Sequence, residues 1–216
     1  MDRYPFRVKQ LGIVDYEPTW HAMQALTAAR HADTEDEVWL LQHPAVYTLG
    51  LAGKPEHLLQ STQIPLVHSD RGGQITYHGP GQLVVYLLLD VKRYRLGVRE
   101  LVRRIEQTVI HLLAEWGIVA NGDVARPGIY VDGAKIASLG LRVKNGATYH
   151  GLALNVDLDL TPFASINPCG YANLPVTSLA QLGVMVDIDT VAARLLPHLA
   201  AQLDDRAPRN RIEGIA

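Results

Sequence analysis

Cys169 is the single cysteine of the 216-residue chain and stands in Ser165-Ile166-Asn167-Pro168-Cys169-Gly170-Tyr171. The proline fixes the incoming backbone and the glycine leaves the sulfur uncrowded, a setting that suits an exposed nucleophile. The ordinary fate of a lone cysteine is to be a small buried hydrophobe, but such a residue usually has apolar neighbours, and these are polar. Lys135, in Asp132-Gly133-Ala134-Lys135-Ile136-Ala137, follows an expected hairpin turn, where a lysine is ordinarily solvated. If the fold brought it beside Cys169, its charge would favour thiolate over thiol and its amine could pass protons during acyl transfer.

The segment Arg71 to Gln82, RGGQITYHGPGQ, holds four glycines, a proline, an arginine and a histidine. Such a loop lets backbone approach a ligand closely, or it is simply a tight turn between strands. It lacks the Gly-Lys-Ser/Thr ending of a phosphate-binding loop and is not followed directly by a helix, so it carries little nucleotide signal. The nine histidines include no His-x-His or His-Glu-x-x-His spacing, so no metal site is expected. His78 and His150 stand apart from the rest because each lies in a glycine-flanked segment that could face a pocket.

These residues need a framework. Val38 to Leu41, Val46 to Leu49 and Leu66 to His68 read as short strands. Trp20, Met23 and Leu26 mark a short amphipathic helix. Leu83 to Leu89, LVVYLLL, reads as a central strand covered on both faces. Val98 to Trp116 carries one apolar stripe and predicts a helix stopped by Gly117. Asp132-Gly133 and Asn145-Gly146 supply the positive φ of two hairpin turns, and so predict three antiparallel strands. A last helix near Thr190 to Leu203 has Pro197 inside, where a kink is expected. Hairpins with a few helices and no strict strand-helix alternation indicate an α+β fold with a mixed sheet.

Composition narrows the class. At 48% hydrophobic and 19% charged residues, one globular domain over 1–216 is expected, with 204–216 as a loose tail. One cysteine allows no internal disulfide and points to a reducing, cytoplasmic setting. No leader-like or bilayer-length apolar run is evident. A net charge of −2 argues against generic nucleic-acid binding.

RGGQITYHGPGQ, GAKIASLGLRV, YHGLALNV and INPCG, in this order and spacing, resemble the lipoyl(octanoyl) transferase family. The resemblance implies the catalytic fold of biotin and lipoate protein ligases. It implies transfer of an octanoyl or lipoyl group from the phosphopantetheine of acyl carrier protein to a lysine of a lipoyl domain. The acceptors would be the lipoyl domains of 2-oxoacid dehydrogenase complexes and the glycine cleavage H protein, with no further cofactor and no membrane or nucleic-acid partner. Cys169 would become the acyl-thioester and Lys135 would lower its pKa. Arg71, Gly72, Gly73, Gln74, Ile75, Thr76, Tyr77 and His78, with Ser138-Leu139-Gly140 and Gly151-Leu152-Ala153, would line the substrate site. Glycines and small residues there would let an extended chain lie between backbone walls, while unspecified amides held the oxyanion. Two alternatives remain. An ATP-dependent lipoate-protein ligase would not need the cysteine, and a non-catalytic carrier-binding module would not need Cys169 and Lys135 together.

Charge adds one expectation. KRYRLGVRELVRR, Lys92 to Arg104, holds six basic residues and one acidic one. Arg99 and Arg103, four apart on a helix, would offer a basic face to an acidic carrier protein.

Overall fold

Alternate residues of Gln82–Leu88 face opposite sides of a seven-stranded sheet, which explains the unbroken apolar run. Leu83, Val85 and Leu87 join one buried cluster with Leu101, Ile105, Leu195 and Leu199, whereas Val84, Tyr86 and Leu88 join another with Met23, Trp39 and Tyr149. The computed structural model describes residues 4–123, 126–172 and 174–204, with the side chain of Cys169 outside the description.

The elements are β1 (Arg7–Ile13), α1 (Tyr16–Ala29), β2 (Glu37–Gln42), β3 (Val46–Leu49), β4 (Leu66–His68), β5 (Ile75–His78), β6 (Gln82–Leu88), α2 (Val98–Ala114), β7 (Asn121–Gly122), β8 (Gly128–Val131), β9 (Ala134–Lys144), β10 (Ala147–Asn155) and α3 (Ile188–Leu203). The large sheet has the order β1-β2-β6-β10-β9-β8-β7, and a smaller sheet has the order β4-β3-β5. β1 with β2 and β3 with β4 are parallel, while the remaining pairs are antiparallel. This is the mixed α+β architecture that the hairpin signals indicate. Helices α2 and α3 cover one face of the large sheet, and α1 covers part of the other.

Local chemistry sets the boundaries. Asp132 and Gly133 take φ of 48° and 81°, and Asn145 and Gly146 take 53° and 82°, the paired positive φ of tight hairpin turns. Helix α2 ends two residues before Trp116, and Gly117 at φ 72° lets the Ile118 amide return to the Leu113 carbonyl at 3.1 Å. Asp187 caps α3 by accepting from the Thr190 amide at 2.6 Å, and the helix continues through Pro197 to Leu203. The expected tail lies, from residue 205 onward, outside the described residues. Among the described residues no helix is long and apolar enough to cross a membrane.

Candidate active site

Arg71 fastens the glycine-rich segment to β3. Its guanidinium donates to Thr48 Oγ1 at 2.9 Å, the Thr48 carbonyl at 2.5 Å, the Gln74 carbonyl at 2.7 Å and the Gly72 carbonyl at 2.9 Å. Those bonds make it a clasp that shapes the wall. The Gly72 amide donates to the Leu141 carbonyl at 3.1 Å, so the same segment is also tied to β9. Ile75 to His78, read from sequence as part of a loop, is strand β5.

The wall borders a narrow cleft of about 50 Å³. Arg71, Gly73, Gln74, Ile75, Thr76 and His78 line it from one side, and Ser138, Leu139, Gly140, Gly151, Leu152 and Ala153 from the other. Tyr77 is not among them. It packs away from the cleft against Tyr47 and Phe163, at ring distances of 5.5 and 5.6 Å, because neighbours on a strand point to opposite faces. Gly72 lines an outer groove with Val98, Val102, Arg126, Pro127 and Tyr171. Gly73, Gln74, Leu139 and Gly140 belong to both hollows, so the groove leads into the cleft. A larger hollow near Phe6, Asp36 and Arg93 contains none of these residues.

Rings close the cleft's inner end. Tyr16, His78, Tyr86 and His150 line it, and the Tyr86 hydroxyl meets His43 Nε2 at 2.7 Å. Burial pulls His43 down to about 4 and His78 down to about 3, and it lowers His150 as well. These imidazoles are therefore neutral near pH 7. Behind them Asp70 accepts from Trp20 at 2.7 Å, Gln24 at 3.1 Å, His150 at 2.9 Å and the Tyr149 hydroxyl. Burial alone would raise its carboxyl, but these four donors together hold it well below the ordinary range. Sequence patterns singled out His78 and His150. They missed Tyr16, Val84 and Tyr86 on the wall and Asp70 behind it, the last marked only by its position next to Arg71.

Lys135 is 2% exposed, which corrects the expectation of a solvated lysine. Its backbone is held between the Pro175 carbonyl at 2.8 Å and the Thr177 amide at 2.9 Å. That clamp turns the side chain inward, where Nζ donates to the Pro127 carbonyl at 3.0 Å and lies 5.3 Å from the Tyr130 ring centre. Pro127 belongs to the outer groove, so the ammonium stands near the entrance. Cys169 has its backbone in the short 3-10 turn Pro168–Gly170, and its side chain lies outside the described part of the structure. The Asn167 amide donates to the His57 carbonyl at 2.8 Å. A side-chain carbon built on Gly170 would lie 3.3 Å from both Gln74 Cγ and His57 Nε2. The turn therefore abuts Gln74, which lines both groove and cleft. Among the described residues no group of three or more His, Cys, Asp or Glu side chains could hold a metal ion.

The family model described as the lipoyl protein ligase A/B catalytic domain matches residues 15–200. The chain belongs to this family. It is 69% identical over 199 residues to a protein of Chromobacterium violaceum named octanoyltransferase, covering 92% of this chain and 96% of that one. A solved structure described as a putative lipoate protein ligase from T. acidophilum superposes with a TM-score of 0.75 at 18% identity, covering 92% of this chain and 85% of that chain. Biotin protein ligase from Aquifex aeolicus superposes with a TM-score of 0.59 at 14% identity, covering 91% and 70%. At such identities the two structures show the fold alone, and that fold is the expected biotin and lipoate ligase architecture. In this member of the lipoyl protein ligase A/B family, the matched span includes the whole cleft wall, Lys135 and the turn of Cys169.

Proposed function

We propose that this chain is an acyltransferase. It moves an octanoyl or lipoyl group from the phosphopantetheine thioester of acyl carrier protein to a lysine of a lipoyl domain, through an acyl-thioester on Cys169. One observation supports the reading: a narrow cleft lined by rings opens at Gln74 and Leu139 to Gly140 into a groove that includes Pro127, whose carbonyl accepts from the buried Lys135, and the turn that carries Cys169 abuts Gln74. The octanoyltransferase name of the 69% identical relative agrees with it.

In the first step the Cys169 thiol gives up its proton to water, the thiolate being favoured by the Lys135 ammonium. The sulfur attacks the donor carbonyl, the bond to the pantetheine sulfur breaks, and the departing thiolate takes up a proton. Thioester is exchanged for thioester, so no ATP is needed. In the second step the acceptor amine attacks the Cys169 thioester, the C–N bond forms, and the amine proton returns to the cysteine sulfur. A cation close to the sulfur would favour its thiolate, and Lys135, bonded to the Pro127 carbonyl and near the Tyr130 ring, is the residue to which the proposal gives that part.

The test is intact-mass spectrometry after mixing the protein with octanoyl acyl carrier protein without ATP. An octanoyl adduct on Cys169 is expected, to be lost on adding a lipoyl domain and absent in Cys169→Ser. An ATP requirement would favour the ligase alternative. An adduct on another residue would remove Cys169 from the mechanism.

A further inference from the structure

The peptide unit that joins Pro127 to Gly128 is held at both ends. Its carbonyl accepts from Lys135 Nζ at 3.0 Å, and its amide donates to Glu106 Oε1 at 3.3 Å. A trans peptide points these two groups in opposite directions, so an ammonium from β9 and a carboxylate from α2 meet opposite edges of one plane. The two acyl-transfer steps use Lys135 and make no use of Glu106. Glu106 is half-buried and stands one helical turn beyond Val102, which lines the outer groove.

The surroundings make room for this carboxylate without favouring its charge. Burial pushes the Glu106 carboxyl above its ordinary value and Asp123 pushes the same way, while the Gly128 amide and the Lys135 charge act against them. Asp123 is itself bonded by Arg126 at 2.7 Å. A side-chain carbon on Gly122 would lie 2.9 Å from Glu106 Oε2, so β7 is open where the carboxylate sits. The need for a hold comes from Gly128. Lys135 Cε fills the place where its side chain would be, so the residue must be glycine, yet glycine leaves its peptide freer to rotate than any other residue does. A negative charge at the amide end and a positive charge at the carbonyl end both favour one orientation of the peptide dipole.

We infer that Glu106 is a positioning residue for acyl transfer: acting through the Pro127 to Gly128 peptide, it keeps that carbonyl turned toward Lys135 and so holds the ammonium at the wall of the outer groove. The inference rests on the acyl-transfer reading, in which Lys135 favours the Cys169 thiolate. The effect of Glu106 passes through Lys135 and not directly to the sulfur.

Glu106→Gln keeps the shape and an acceptor for the Gly128 amide but removes the charge. It is compared with Lys135→Met and with the double variant by three readouts: kcat and KM for acyl-enzyme formation from octanoyl-pantetheine, the pH midpoint of Cys169 alkylation by iodoacetamide, and Tm. Glu106→Gln is expected to lower kcat by about three- to tenfold with KM within about twofold. Its Tm should stay at or above the wild-type value, because a half-buried charge has gone. The alkylation midpoint should rise. Removing a negative charge would by itself lower that midpoint, so a rise reports displacement of the ammonium. In the Lys135→Met background, Glu106→Gln should change neither kcat nor midpoint further. Wild-type kcat and midpoint in Glu106→Gln, a lowered midpoint, or an undiminished effect in the Lys135→Met background would each overturn the inference. If Glu106→Gln does not fold, the Gly128 amide decides: its NMR shift should titrate with the Glu106 carboxyl, at a midpoint that rises in Lys135→Met, and the lack of such a rise overturns the inference. A wild type that forms no octanoyl adduct overturns the acyl-transfer reading, while the alkylation midpoints still decide the tie between Glu106 and Lys135.

Discussion

Gly128 lies directly beneath the Lys135 ammonium: a side-chain carbon built on it would stand 2.3 Å from Lys135 Cε and 2.8 Å from Nζ. Its φ of 149° also disfavours any other residue. The glycine thus makes room for the bond from Lys135 to the Pro127 carbonyl. Gly128→Ala should push the ammonium off that carbonyl, lower acyl transfer at least about tenfold and raise the pH midpoint of Cys169 alkylation by iodoacetamide. Transfer and midpoint both at wild-type values would show that the lysine needs no such seat.

Lys135→Met keeps most of the buried stem and removes the charge. The Pro127 carbonyl loses its donor, at a cost of about 1 kcal/mol that a Tm measurement reports, since Pro127 itself is exposed. Acyl transfer is expected to fall by about 100-fold or more, beyond what that loss of stability explains. If the alkylation midpoint of Cys169 matched wild type, the lysine would have no electrostatic role.

Much of this frame is legible in sequence, and the failures have physical causes. The period of β6 and the Asp-Gly and Asn-Gly turns are local signals, and local signals survive. β5 is only four residues, buried between glycine-rich turns, so its composition reads as loop. β1 is an edge strand whose RVKQLGI is half exposed and shows no clear alternation. Lys135 is buried by a clamp from residues 175 and 177, a contact that no pattern around Lys135 encodes. The inner end of the cleft draws Tyr16, His78, Tyr86 and His150 from four elements, so only the two histidines flanked by glycine could be suspected beforehand.

Glycines on the cleft wall invite the expectation that a larger side chain shortens the accepted acyl chain. The geometry says otherwise for two of them. A carbon on Gly151 would lie 2.0 Å from the Val85 carbonyl oxygen, and one on Gly140 would lie 2.8 Å from the Gly72 carbonyl oxygen. Both collisions are with backbone, so strands must move. Gly151→Ala should cost about 2–4 kcal/mol of stability and lower transfer of hexanoyl and octanoyl chains alike. Selective loss of octanoyl in a variant of wild-type Tm would restore the simpler volume argument.

Burial holds the folded His43 at about 4 and His78 at about 3, against 6.5 for an ordinary histidine. Below pH 6.5 the unfolded chain takes up protons at these sites while the folded chain does not. Stability is therefore complete above that pH and falls below it, by about 1.4 kcal/mol per pH unit for each ring until its folded value is reached. Asp70 adds nothing to this window, because its carboxyl is ionised in both states above its ordinary 3.8. The Tm should be flat from pH 8 to 7 and decline steadily toward pH 5, and His43→Gln should reduce that slope without abolishing it, because His78 and His150 are lowered by burial as well. A Tm equal at pH 7.5 and 5 would mean that the rings are not held neutral.

The basic face expected between Lys92 and Arg104 is smaller than its sequence suggests. Arg93 bonds Asp36 at 3.2 Å and the Ala32 carbonyl at 2.5 Å. Arg103 meets both Glu100 oxygens at 2.7 and 2.8 Å, so one of the two charges expected on that exposed side is largely neutralised by its neighbour. Arg104 is 3% exposed and reaches Glu100 and the Gln202 carbonyl. That leaves Lys92, Arg95 and Arg99 exposed and without an ion pair among the described residues. Arg99 adjoins Val98, which with Val102 lines the outer groove, so one of these three charges stands beside the entrance through which a carrier arm would pass, while Lys92 stands at the Asn145-Gly146 turn. Lys92→Glu with Arg99→Glu should raise KM for an acidic carrier-bound donor about tenfold at low salt, with the difference shrinking as ionic strength passes ~0.15 M. A small octanoyl thioester should react at the wild-type rate, since it needs no protein docking. Arg104→Ala should instead lower Tm, because it empties the space of a buried side chain and removes the tie from α2 to the Gln202 carbonyl, and it adds no charge at the groove. Equal effects of the double variant on both donors would assign these residues to the groove's shape, and no effect on either would leave the carrier protein to dock elsewhere.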